Sequence, residues 1–171
     1  MFINEEILVH NTGLVLLNGY YFQLFERLGL TENHNFKNEE FQLQAVHFLQ
    51  YLATGMEQSE APDLVFNKVL CGIPVRTSVS EGIAISEEQK ELMEGLIMAA
   101  ISHWPAIGDS SIDGFRGNWI LREGILYETP DSFVLTVEKR AYDILMNKAP
   151  FSFSLIKLPW MLKPLRVNWA Y

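Results

Sequence analysis

The spacing of apolar residues changes once along this chain, near Gly114, and that change restricts the fold more than any other feature. Before it, apolar residues recur at three and four residue steps, the mark of a helix burying one stripe; after it, the period shortens toward two, the mark of a strand burying one face. Helices and strands segregated in this way predict an α+β fold. The expected architecture is a helical N-terminal part of about four helices packed with a small antiparallel sheet formed by the C-terminal third. It is read as a single compact domain over 1–171, mainly helical over 1–105 and strand-rich over 106–171.

The helices follow from pattern and end signals. Leu17, Tyr20, Tyr21, Leu24, Phe25 and Leu28 form one stripe over 14–28, and Gly29 stands where a left-handed cap would end it. Residues 33–38 are polar and turn-like. Phe41, Ala45, Phe48, Leu49 and Leu52 form a second stripe, with Glu39 and Glu40 at the positive end of the helix and Gly55 after its last turn. Pro62 opens a short third helix over 62–70, which Gly72-Ile73-Pro74 cannot continue. Ser86-Glu87-Glu88-Gln89 matches a capping box. It starts a fourth helix that should stop before Pro105, with Leu92, Leu96, Ala99, Ala100 and His103 near its inner face. Extended segments are expected at 119–123, 125–128, 133–138, 151–158 and 165–169, with a helical turn over 142–147.

Composition narrows the function. The chain has 171 residues, 49% hydrophobic and 20% charged, so disorder is excluded and roughly 70% of the unfolded surface can be buried without staples. With 13 Lys+Arg against 21 Asp+Glu the net charge is −8, and no basic cluster is present; nucleic-acid binding is not expected. The longest apolar runs fall far short of the roughly 20 residues of a membrane span. The start, Met1-Phe2-Ile3-Asn4-Glu5-Glu6, is neither a signal nor a transit peptide. The one cysteine, Cys71, cannot form an internal disulfide. A cytoplasmic protein is the expectation.

Residues able to carry chemistry are few and unpatterned. Cys71 with His47 or His103 would make a nucleophile and base, but Cys71 closes the apolar run Val69-Leu70-Cys71, where a small buried thiol is the ordinary reading. The four histidines lack metal-ligand spacing, so no metal and no cofactor is expected. Glu123, Glu128, Glu138 and Asp143 lie in or beside the strand region and could flank a sugar or hold calcium. Glu138 next to Lys139 and Arg140 reads instead as surface charge pairing. No phosphate-cradling glycine loop and no nucleophile elbow occurs. What stands out is the apolar end of the chain, where Trp160, Met161, Trp169 and Tyr171 are the candidate protein-interface residues beside a larger set of core positions.

These residues, in their order, resemble the tape measure proteins of contractile injection systems, phage-tail-like particles. The resemblance runs through His10-Asn11-Thr12-Gly13-Leu14-Val15-Leu16-Leu17, Leu24-Phe25-Glu26-Arg27-Leu28-Gly29-Leu30 and Ala45-Val46-His47-Phe48-Leu49-Gln50-Tyr51-Leu52-Ala53-Thr54-Gly55. It continues through Leu64-Val65-Phe66-Asn67-Lys68-Val69-Leu70-Cys71-Gly72, His103-Trp104-Pro105, the stretches 114–124 and 137–145, and Ile156-Lys157-Leu158-Pro159-Trp160-Met161. Members of that family are much longer, and the resemblance is to their C-terminal part. Gly19-Tyr20 and Ala149-Pro150-Phe151 depart from the family's pattern.

The resemblance implies a non-enzymatic assembly module that anchors or docks a ruler by contact with tube, cap or baseplate proteins, with a homo-oligomer as a further possibility. Physics limits the role. Even a fully helical chain would reach roughly 260 Å at about 1.5 Å per residue, and a compact one has a radius of gyration of about 15 Å. This chain does not measure a long tube by itself. The alternative readings are a free-standing ligand-binding α+β domain, marked by a pocket with converging polar groups, and a hydrolase, marked by a perturbed carboxylate pair.

Overall fold

The computed structural model describes residues 5–171; residues 1–4, part of the stretch read for a leader, lie outside them. Each predicted helix is present, with local differences that have physical causes. The first begins as a 3₁₀ segment, Thr12–Leu17, buried throughout, and becomes α-helical as α1, Asn18–Arg27. Gly13 explains the tight start, because a Cβ there would stand 1.7 Å from the Trp119 carbonyl oxygen. Helix α2, Glu39–Thr54, is capped by Asn38, whose side chain accepts from Phe41 N at 2.9 Å. Gly29 and Gly55 follow α1 and α2 at φ of 76° and 77°, the left-handed conformation of helix C-caps.

A 3₁₀ turn, Ala61–Leu64, carries Pro62 and leads into α3, Val65–Cys71. Helix α4, Glu87–Ser102, begins at the predicted capping box: Gln89 N donates to Ser86 Oγ and Ser86 N donates to Gln89 Oε1. Its buried face is turned from the predicted one. Met93, Leu96, Ile97 and Ala100 are buried, Leu92 and Ala99 are half-buried, and His103 is exposed. The helix packs against α1 and α2 together, so its centre line lies between the two stripes.

The segment over 119–123 is not a strand. Helix α5, Ile112–Phe115, runs into one π-helical stretch, Arg116–Ile120, closed by Leu121 N donating to Arg116 O at 2.7 Å. Trp119 and Ile120, consecutive in sequence, are both buried, which a strand with one covered face cannot achieve.

The sheet has the order β1-β4-β5-β7-β6, with β1 Ile7–Val9, β4 Gly124–Glu128, β5 Phe133–Val137, β6 Leu155–Ile156 and β7 Leu165–Asn168. A small hairpin, β2 Thr31–Glu32 and β3 Asn35–Phe36, turns through Asn33 and His34 at positive φ. The main sheet departs in two respects from the expected antiparallel sheet of the C-terminal third. Strands β5 and β7 run parallel, because the chain crosses over between them through a 3₁₀ segment, Ala141–Lys148, and β6. The edge strand β1 comes from the other end of the sequence and pairs antiparallel with β4. Of the segment 151–158 only Leu155 and Ile156 join the ladder. Val9, Leu126, Leu135, Val137, Ile156, Leu165 and Val167 face the helices and complete one core.

Candidate functional site

Strand alternation sends the other half of the sheet's side chains to the opposite face. Register places Leu155, Arg166, Val134 and Tyr127 in one row and Asn168, Thr136, Ile125 and Leu8 in the next. Leu8 is 51% exposed and Leu155 61%; Thr136, Arg166 and Asn168 are exposed as well, and Ile125 and Tyr127 are half-buried. Val134 is buried in the middle of the face. This face, with an exposed leucine at each edge and Arg166, Thr136 and Asn168 exposed between them, is the candidate functional site.

Three of the four residues predicted at an interface belong to the core instead. Trp160 is buried between Phe25 and Phe36, at centroid distances of 5.4 and 5.1 Å, and its Nε1 donates to Leu70 O at 2.8 Å. Met161 is buried, its sulfur accepting from Leu158 N. Trp169 is buried, and its Nε1 donates to Asp143 Oδ2 at 3.0 Å. Tyr171 is 51% exposed. Sequence reasoning missed Leu8 and Leu155. The apolar run Ile7-Leu8-Val9 was the available signal for a strand, and the register that exposes Leu8 depends on β4, far along the chain.

Behind the open face the carboxylates have structural partners. Asp143 and Arg122 form an ion pair at 2.7 Å with neither side chain exposed. Burial alone would raise the Asp143 pKa, but hydrogen bonds from Arg122, from Arg140 N and from Trp169 outweigh it and hold the carboxyl below its ordinary value. The Arg122 guanidinium also donates to Asn118 O and Glu138 O and lies 5.1–5.8 Å from the ring centroids of Trp169, Tyr142 and Trp119. Its own carbonyl accepts from Thr12 N and Thr12 Oγ1, tying the first 3₁₀ segment to the sheet. Glu123 pairs with His10, and Glu128 with Lys163.

The nucleophile candidates are likewise built in. Burial pushes the Cys71 thiol well above its usual range, which disfavours the reactive thiolate. His47 is buried with its pKa lowered by that burial, and its Nε2 meets Ser80 Oγ at 3.1 Å. His103 is exposed and bonds to the Tyr20 hydroxyl. Among the described residues no three or more His, Cys, Asp or Glu side chains are grouped to hold a metal ion, and no helix is long and apolar enough to cross a membrane.

No curated protein and no solved structure matches the chain. A family model described as contractile injection system tape measure protein matches residues 3–169, nearly the whole sequence, and the chain belongs to that family.

Proposed function

We propose that this chain is a non-enzymatic assembly module that anchors or docks the ruler of a contractile particle, contacting a tube, cap or baseplate protein through the open face of its sheet. The family supports a role in assembly of such a particle. The observation that carries the finer reading is the pair of exposed leucines, Leu8 and Leu155, at opposite edges of a face whose middle holds Arg166, Thr136 and Asn168. Apolar contact supplies affinity and the central polar groups set orientation. No bond is made or broken in this role. Deleting the chain in its host and imaging the particles tests it: absent, truncated or tubeless particles are expected, and normal contractile particles of full length would overturn it.

A further inference from the structure

The two outer strands of the sheet, β1 and β6, present edges that fit each other. Between β4 and β5, Glu138 N donates to Glu123 O and Thr129 N to Ser132 O, in the same register that pairs Ile125 with Thr136. Bonded and unbonded pairs alternate along an antiparallel ladder, so Ile125 turns its backbone groups toward β5. Leu8, opposite Ile125 on β1, therefore points its own N–H and C=O outward from the sheet. At the other edge Val167 N donates to Ser154 O, so the next pair, Leu155 with Arg166, is unbonded, and the Leu155 N–H and C=O point outward as well. Those four backbone groups have no partner among the described residues. Neither β1 nor β6 holds a proline or a charged residue, the usual means of closing an edge to a further strand.

Direction and charge agree with that fit. β4 is antiparallel to β1 and to β5, β7 is parallel to β5, and β6 is antiparallel to β7, so β1 and β6 run in opposite directions. Copies laid side by side in one orientation bring β6 of one antiparallel to β1 of the next, with their open faces on the same side. Setting Leu155 opposite Leu8 of the next copy lets each N–H donate to the other's C=O and places the two exposed leucine side chains together. The same register sets Lys157 opposite Glu6, two residues along on the same face; both are exposed, and neither is in an ion pair among the described residues. Pairing β1 with another β1 would instead set Glu6 against His10, which already pairs with Glu123, and β6 with β6 would set Lys157 against Phe153.

We infer that copies of this chain join edge to edge, β6 of one to β1 of the next, with Leu155 against Leu8 and Lys157 against Glu6. A head-to-tail contact of this kind repeats into a closed ring or an open row. The open face stays uncovered in it, so the contact holds or fails apart from the docking proposed above.

Proline substitution tests it, because proline at Leu8 or Leu155 removes an N–H that the ladder within one copy does not use. In sedimentation velocity the mass of the purified full chain should rise with concentration. Leu8→Pro and Leu155→Pro should each stay monomeric alone, and an equimolar mixture should form a one-to-one dimer, since one variant keeps β6 and the other keeps β1. A wild-type chain that stays monomeric, a dimer of either variant alone, or a mixture that stays monomeric would overturn the contact. If circular dichroism shows either proline variant unfolded, the charge pair serves in its place. Glu6→Lys and Lys157→Glu should each weaken association about threefold or more, and the two together in one chain should restore it; no loss in the single variants, or no recovery in the double, would equally overturn it. Because these measurements use the isolated chain, their failure leaves the docking role to be decided by imaging of particles.

Discussion

Arg122 and Asp143 stand 2.7 Å apart with both side chains fully buried, each the other's charge partner. Asp143 also accepts from Arg140 N and Trp169 Nε1, so one carboxylate joins the turn after β5 to the end of the chain. Removing one member of a buried pair leaves the other charge uncompensated. Asp143→Asn is expected to cost about 3–5 kcal/mol in urea unfolding, with the circular dichroism of any remaining folded fraction unchanged. A loss under about 1 kcal/mol would mean that the aromatic rings around Arg122 and the carbonyls it reaches satisfy it alone.

Two buried groups contribute to the acid response with the same sign. Asp143 has a folded pKa below its unfolded value, so its stabilisation is present above about pH 3.9 and is lost as pH falls through the lower folded value. His47, buried and lowered, stabilises the fold above about pH 6.5 and loses that contribution as pH falls through its own folded value. Stability should therefore decline in two stages on acidification. In His47→Gln the first stage should disappear, read as flat urea midpoints between pH 7 and 5.

Gly13 meets the π-helical turn through bare backbone, with a hypothetical Cβ 1.7 Å from Trp119 O and 2.5 Å from Ile120 Cα. Neither atom is the movable end of a side chain. Gly13→Ala should destabilise by about 3 kcal/mol or more, because the 3₁₀ segment must lift off that turn. Gly95, with open space around its position, is the control: Gly95→Ala in the middle of α4 should stabilise by about 0.5–1 kcal/mol.

Arg116 closes the C-terminal end of α2. Its Nε donates to Leu52 O at 3.1 Å, a carbonyl in the last turn of the helix, and one terminal nitrogen donates at 3.1 Å to Tyr51 O, which also accepts from Gly55 N. Arg116→Met keeps much of the volume and removes the donors, and a loss of about 1.5–3 kcal/mol in thermal or urea unfolding is expected.

The aromatic end of the chain separates into structural and surface residues. Trp160→Ala should lose about 3–5 kcal/mol, since it empties the space between Phe25 and Phe36. Tyr171→Ala should change stability by less than about 0.5 kcal/mol. Leu8→Glu combined with Leu155→Glu should leave the fold intact and abolish capture of the proposed tube, cap or baseplate partner in pull-downs from the host. Undiminished capture would move the contact to another surface.

The helical part was largely legible because its signals are local. The Ser86 cap and the Gly29 and Gly55 ends sit within a few residues of what they cap and occur as the sequence implies, while the equally local Asn38 cap lies in a stretch read only as a turn. What escaped was decided by distant partners. Leu8 depends on β4 for its pairing, Trp119 and Ile120 are drawn into the core together by a π turn, and the parallel pairing of β5 with β7 follows from a crossover that no two-residue pattern encodes. The burial of Trp160 and Trp169 escaped for a related reason: in sequence they look alike whether their rings are covered or bare. Arg122 shows no periodic signal at all, since a buried arginine is intelligible only once Asp143 is beside it.

The pairing of Val9 with Gly124 also sets a timetable. These residues are about 115 positions apart, and at about 5–20 residues per second a ribosome takes roughly 6–23 s to bring the second within reach of the first. During that interval Ile7, Leu8 and Val9 have no ladder to join, and an apolar segment in that condition can be captured by a neighbouring nascent chain. A pairing this far apart in sequence adds to the non-local contacts of the fold, and refolding is expected in the millisecond-to-second range rather than the microsecond range of simple helical bundles.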